Sequence, residues 1–553
     1  MYTDVMTEIA RFKAGRIHVA RAGLATQARL CVDMLQQGRG MAWVVKNRDE
    51  LLTARALMRL FSPELSSGDF LPDAFDKGGW TSLPPFSPRS ANREGWTERL
   101  SALYALRSGQ AKGLLLTADN LLPKLVPLDF FENREFTLIR GEDVSLEMIL
   151  EQAVEWGYER VSMVSNPGEI ARRGAILDIM PPGYDKPIRL DFFGDLIEEI
   201  RLFDPVSQRS KANLSEVRVL PVSPIRQSPA DQAKMQARWK SLFQKNMLTE
   251  NERFGLTRLQ EQGDFRLLPG CCYDTATNLE AWPPADTVWV LPGLSDFRDM
   301  LSSAERLWTE AFEAQDVEGR PQPQRLAMRE ASDVESACER FACVHAEPLV
   351  MGIAKVIHDL PERSLSSFED LFPSTAEQDR PWQTLVQALK RWQNDKRQTI
   401  LCFASEKSRT KFLNLASQDG LSPLLRYSGE QHGLFALVAP FRAGAELIWD
   451  QSLILGEDLL QPHAEKSRRV PTGAFKGLDR YDELKPGDLL VHRDYGIARF
   501  GGLLRMETGS TANDFLLLHY SGDDRLYVPV DRLSLIQRFK GGGEAQPSLD
   551  RLG

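Results

Sequence analysis

A chain of 553 residues with 42% hydrophobic and 26% charged side chains can bury several cores, and its length alone suggests about three to five domains. No run approaches the roughly 18 apolar residues that a membrane span requires, and Asp4 and Glu8 fall where a secretory signal would be apolar, so no membrane association and a cytoplasmic location are expected. A net charge of -9 repels DNA in the absence of a local basic patch, while six sparse cysteines and seven scattered histidines match neither a disulfide framework nor a metal site.

Residues 19–37 read as a helix, 41–45 (MAWVV) as a short buried strand, and 47–61 as a helix with Asn47 as cap and Glu50 reaching back. Residues 92–109 read as helix and 113–117 (GLLLT) as strand, a parallel α/β pattern of the kind that often binds nucleotides. Residues 23–29, GLATQAR, stand where a phosphate-binding loop would belong. Such a loop needs GxxxxGK[ST], so that amides close on phosphate, lysine meets the terminal phosphates and the hydroxyl holds Mg²⁺. Only Gly23 fits; Ala28 and Arg29 stand near the second glycine and the lysine, and Gly-Lys occurs nowhere. The readings are an ordinary turn or a degenerate nucleotide loop, with no ATP hydrolysis expected.

From 132 to 219 the pattern becomes that of an inserted α+β domain. A strand at 136–140 precedes a helix that Ser145 can cap and Gly157 can end, and a run of strands follows. In PIRLDFF, Ile188, Leu190 and Phe192 point one way and Arg189, Asp191 and Phe193 the other, with Gly194-Asp195 as the turn. Arginine beside an outward aromatic on a rigid sheet matches an interface anchor; the alternative is a solvated face on which Asp178, Asp191 and Arg189 pair among themselves.

Residues 220–342 read as a continuation of the first domain (1–131), with a strand at 286–292 and a Pro-rich connector, EGRPQPQ. Residues 343–460 form a second small α/β domain of unassigned role, and 461–480 an exposed linker. Residues 481–553 hold short strands separated by Gly and Asp turns, then a helix or turn at 531–539, which suggests an SH3/Tudor-like β-barrel. With 9 Lys and Arg against 11 Asp and Glu, this segment favours a protein partner, bound by lending an edge strand to a neighbour's sheet.

The block GYERVSMVSNPGEIARRGAILDIMPPG with PIRLDFFGDLIEEIRLFDPVSQRS resembles the one shared by bacterial transcription-repair coupling factors and UvrB. A second block, GDLLVHRDYGIARFGGL with DFLLLHYSGDDRLYVPVDRLSLIQRF, resembles the RNA-polymerase-interacting domain that coupling factors share with CarD-type regulators. UvrB lacks that domain, so the two blocks in this order single out the coupling factors. The resemblance implies a multidomain α/β chain: a UvrB-like module without ATPase parts, an insert that recruits UvrA, and a barrel that grips the β subunit of stalled RNA polymerase.

In that family Arg160, Arg173, Arg189 and Phe193 match arginine and aromatic positions of the UvrA-binding block. His492, Arg493, Tyr495, Gly496, Ile497 and Arg499 match the edge strand that meets the polymerase. Departures from the family pattern are Met180, where an aromatic is usual, Tyr495, where histidine is common, and Arg493, where an apolar residue can occur. The translocase motor, with its ATP, Mg²⁺ and DNA contacts, is implied to lie outside this chain, leaving a cofactor-free adaptor between polymerase and excision machinery. A free-standing CarD-like regulator, a UvrB-like DNA-binding repair protein and an ATP-driven translocase are the alternatives.

Overall fold

The computed structural model describes residues 2–12, 14–61, 79–205, 208–347, 357–373, 380–427, 432–460, 487–492, 496–508, 511–521, 525–529 and 536–538. The chain forms two compact units, Met1–Pro462 and His463–Gly553.

The first unit opens with helix α1 (Tyr2–Arg11), strand β1 (Gly15–Ala20), α2 (Leu24–Gln36), β2 (Met41–Val45) and α3 (Arg48–Phe61). The helix expected from position 19 starts five residues later, because Val19 and Ala20 complete β1. Asn47 caps α3 as expected: its Oδ1 accepts from the Glu50 amide at 3.0 Å, while the Glu50 carboxylate reaches back one residue further, to the Lys46 amide at 2.9 Å. β3 (Trp80–Ser82), α4 (Arg93–Arg107) and β4 (Gly113–Thr117) follow. Every residue of β2 and β4 is buried, the continuous apolar run of a strand covered on both faces.

The insert comprises β5 (Phe136–Ile139), α5 (Leu146–Glu155), β6 (Glu159–Arg160), β7 (Glu169–Arg173), β8 (Ile176–Ile179), β9 (Ile188–Phe193), β10 (Leu196–Phe203), β11 (Ser210–Leu214) and β12 (Glu216–Val219). β5 and β12 pair antiparallel, so the chain enters and leaves through one two-stranded neck. The remaining strands form a six-stranded sheet ordered β11-β10-β9-β8-β7-β6. The Ser145 hydroxyl accepts from the Met148 amide at the start of α5. That helix lays Ile149, Leu150 and Ala153 over Ile170, Leu177, Ile188 and Leu190 on one face of the sheet.

The chain returns through α6 (Pro229–Gln244) and α7 (Glu250–Glu261) to β13 (Val288–Pro292), α8 (Leu294–Val317), β14 (Ala342–Glu347) and β15 (Ile357–Asp359). β13, β14 and β15 complete one parallel sheet with strands of the first segment, in the order β15-β1-β14-β13-β2-β4-β3. Two expectations need correction. The boundary at 342/343 falls inside β14, because β1 pairs with both Ala342–Glu347 and residues 357–359, and the sheet therefore extends to about residue 359. The Pro-rich connector is packed rather than free: Gln322 is buried, donating to Gln315 Oε1 at 2.8 Å and to the Arg266 carbonyl at 3.0 Å.

A second α/β layer holds β16 (Glu362–Leu365), α9 (Pro381–Asn394), β17 (Gln398–Phe403), α10 (Glu406–Gln418), β18 (Leu434–Val438), β19 (Gly444–Leu447) and β20 (Ser452–Gly456), with sheet order β16-β19-β20-β17-β18. It shares a core with the first layer, since Ile400, Tyr427, Phe435 and Ile454 pack in one cluster with Cys31, Met34 and Trp43. All six cysteines are buried free thiols.

In the second unit β21 (Leu489–His492), β22 (Gly496–Thr508), β23 (Thr511–His519), β24 (Arg525–Pro529) and β25 (Ile536–Arg538) make a five-stranded antiparallel sheet ordered β24-β23-β22-β21-β25. Its core is Leu490, Ala498, Phe500, Leu516, Leu518, Tyr520, Val528 and Ile536. Where a terminal helix or turn is expected over 531–539, Ile536–Arg538 is a strand: Ile536 buries itself opposite His492, a pairing no local pattern announces. The expected linker 461–480 lies outside the described residues. No helix among the described residues is long and apolar enough to cross a membrane.

Candidate functional site

The insert's sheet has one face under α5 and one open face, and strand register assigns every side chain to one or the other. Ile188, Leu190 and Phe192 of β9 are buried, while Phe193 is 74% exposed beside Gly194, whose positive φ of 62° turns the chain into β10. Arg173 is opposite Ile176 and Ile176 opposite Asp191, so Arg173 shares the open face with Asp191, Arg189 and Phe193. Arg173 is exposed, its guanidinium anchored by one bond to the Ser162 carbonyl at 2.7 Å.

The four candidate residues therefore differ in what they have left to offer. Arg189 donates twice to the Asp178 carboxylate at 2.7 Å, once more to Gln208 Oε1 at 3.1 Å, and lies 4.5 Å over the Phe203 ring. Asp178 is 1% exposed, and its bonds hold the Arg189 guanidinium above its usual pKa. The mutual pairing weighed for this face is thus real and strong at Arg189–Asp178, and Arg201 pairs with Asp191 beside it. Arg160 is exposed on the far edge strand, opposite Ile170, in the row of opposite parity to Arg173 and Phe193. Arg173 and Phe193 are brought to one surface, and Arg189 braces that same face through its pairing with Asp178. Met180 is buried with Val164 and Ala171, filling that face beside β7.

In the second unit the edge-strand expectation needs correction at His492 and Arg499 only. His492 on β21 has β22 on one side and β25 on the other, and Arg499 pairs with both Leu489 and His519, so these two are interior; Gly496, Ile497 and Ala498 pair with β21 alone, which leaves the other side of that stretch without a strand among the described residues. His492 is buried between Gly496 and Ile536. Ile497 and Arg499 take the parity opposite the core residues Ala498 and Phe500, and Arg499 is exposed. Arg493 and Tyr495 lie outside the described residues. Among the described residues the sheet's edges are β24 and β25. Tyr527 is 41% exposed on β24.

At the phosphate-loop corner, Gly23 caps α2 without a side-chain bond. The amides of Ala25 and Thr26 donate instead to the carboxylate of Glu362, at 3.2 and 2.7 Å. Burial pushes the Glu362 pKa up against these amide bonds. Sequence reasoning missed Glu362, and no local signal marks it, since it arrives from 336 positions away.

Comparison with known proteins gives two domain matches, a UvrB interaction domain over residues 136–224 and a CarD-like/TRCF RID domain over residues 484–540. Similar proteins include the transcription-repair-coupling factors of Myxococcus xanthus (29% identical over 513 residues, 85% of this chain and 41% of that protein), Escherichia coli strain K12 (28% over 508 residues, 86% and 41%) and Bacillus subtilis strain 168 (25% over 500 residues, 84% and 40%). The chain spans about two fifths of the length of these curated relatives. The first domain match takes in the sheet that carries Arg173 and Phe193, and the second takes in the five-stranded sheet.

Proposed function

We propose that this chain is the N-terminal, non-motor part of a transcription-repair coupling factor, an adaptor that docks UvrA with one sheet and stalled RNA polymerase with another. The observation that carries this reading is the presence in one chain of a UvrB interaction domain and a CarD-like/TRCF RID domain. On the insert, the open face around Arg173 and Phe193 meets UvrA, with Arg189 positioning the surface through Asp178 and Arg160 contacting the rim. An aromatic beside arginine on a stiff sheet loses little conformational entropy on docking and suits a central anchor.

The second unit, closing as an SH3/Tudor-like barrel, binds the polymerase β subunit by adding a strand at an edge, with Ile497 and Arg499 on the outward face of β22. His492 and Gly496, which pair where β21 meets β22, help set this face, and the proposed contact extends to Arg493 and Tyr495. ATP, Mg²⁺ and direct DNA translocation belong to a motor module that this chain does not supply, in keeping with a loop that has Gly23 but neither the second glycine nor the lysine.

The test is a pair of titrations of the purified chain, one with UvrA and one with the isolated RNA polymerase β subunit, at low salt. Binding to both is expected. Binding to the polymerase subunit alone would favour a CarD-like regulator, and binding to neither would end the reading.

A further inference from the structure

β1 ends at Ala20 and α2 begins at Leu24, the strand-to-helix corner at which open α/β sheets hold phosphates. Here the corner is occupied from within the chain. Both oxygens of Glu362 sit on backbone amides of the first turn, Ala25 and Thr26. A Cβ built on Gly23 would overlap the same carboxyl group, so the anion lies against the main chain as a phosphate oxygen does, and only glycine leaves room for it.

Glu362 is not there by the chance wandering of a surface side chain. The main chain leading to it is laced to the end of β1, with Leu360 N donating to the Ala20 carbonyl at 3.1 Å and Glu362 N to the Arg21 carbonyl at 3.0 Å. The second α/β layer then covers the helix: the Trp449 indole donates to Thr26 Oγ1 at 3.0 Å, Arg29 donates to the Tyr427 hydroxyl at 3.1 Å, and Tyr2 stacks on Trp449 at 4.3 Å. Arg29, at the position nearest to a phosphate-loop lysine, is thereby committed to Tyr427 and Asp33.

We infer that the N-terminus of α2 is an oxyanion site kept permanently filled by the tethered carboxylate of Glu362, and that residues 360–460 serve to hold that carboxylate in place. Removing the carboxylate opens a site for a free phosphate-class oxyanion. A nucleotide remains excluded, because Trp449 and Tyr427 cover the approach. The role left open for the second α/β layer is then that of a built-in stopper.

The experiment uses the full 553-residue chain. Thermal melts of the wild type and of Glu362→Ala are followed as inorganic phosphate replaces chloride at constant ionic strength. The variant is expected to melt lower than the wild type, and millimolar phosphate is expected to raise its Tm saturably, by about 2 °C or more, while leaving the wild type unmoved. ADP is expected to leave the variant's Tm unchanged. Glu362→Gln, which keeps an acceptor oxygen and fills the space, is expected to lose less and to ignore phosphate. An equal rise in wild type and variant, or a folded Glu362→Ala chain indifferent to phosphate, would overturn the inference. Should Glu362→Ala fail to fold, Gly23→Ala reads the same contact from the other side: its added methyl evicts the carboxylate and lowers Tm, and a melt identical to the wild type would refute the proposal.

Discussion

The parallel sheet of the first domain and the mainly antiparallel sheet of its insert both bury apolar side chains, yet they end in opposite conditions. The first buries every residue of its interior strands β2 and β4, and even the helix N-terminus at its corner is taken up by Glu362. The insert's sheet is closed on one face only, and on the other it leaves Phe193 74% exposed. The proposed docking surface lies on the face of the insert's sheet that leaves Phe193 exposed, not at the strand-to-helix corner of the first sheet. A closed region should respond to substitution through stability, an open one through affinity.

The largest expected effect falls at the brace of the open face. Arg189→Ala removes the guanidinium that pairs with Asp178, a residue 1% exposed in the wild type, which should cost the insert about 3–5 kcal/mol in denaturant unfolding. Loss of UvrA binding in this variant should follow the unfolding of the insert, not precede it. If Arg189→Ala kept the insert's stability but lost UvrA, Arg189 would be an anchor in its own right and the division between brace and contact would fail.

The closed sheet has its own probe in His345, buried on β14 with Nδ1 3.1 Å from the Pro292 carbonyl and its ring stacked on His18 at 5.5 Å. Burial lowers its pKa to about 4, so the folded chain keeps the ring neutral while the unfolded chain protonates it near pH 6.5. Between those values the unfolded state holds more protons, and stability therefore falls as pH drops from about 6.5 to about 4. The expected loss is about 3 kcal/mol across that window, and His345→Gln should flatten the slope in urea midpoints taken at each pH. An unchanged slope would show that the sheet's interior admits water at this strand.

Phe193→Ala should behave in the opposite way. With three quarters of its surface already in water, truncation should leave Tm within error, while UvrA affinity falls by about 30-fold, or about 2 kcal/mol. Arg173→Ala, which loses an exposed guanidinium held by one carbonyl, is expected to weaken UvrA in the same direction without a stability change.

Much of this was legible because the signals are local. Alternation in β9 separates Phe193 from Phe192, Asn47 and Ser145 mark their helix starts, and all-buried strands announce the parallel sheet. What escaped depends on which strand lies beside which. Position 342 reads as a break because the pattern cannot reveal that residues 357–359 return to pair with β1. Residues 531–539 read as helix or turn because their four apolar positions, Leu533, Leu535, Ile536 and Phe539, fit no single period, and the neighbouring β21 decides for strand at 536–538. Glu362 is an unremarkable acid in sequence, and its meaning exists only once two layers are stacked.

The smallest effect is expected in the second unit, where the comparison meets a different kind of surface. A sheet that docks by an edge uses amides and carbonyls that every residue possesses, so side chains there carry little of the affinity. Tyr527 on β24 is the sharpest probe because it is the large apolar residue most exposed on a described edge. Tyr527→Ala should change affinity for the polymerase β subunit by less than about 1 kcal/mol, well under the effect of Phe193→Ala on UvrA. A loss as large as that of Phe193 would mean that both partners are read by anchored side chains, and the contrast between a side-chain surface on the insert and a main-chain edge here would give way to a single mode of docking.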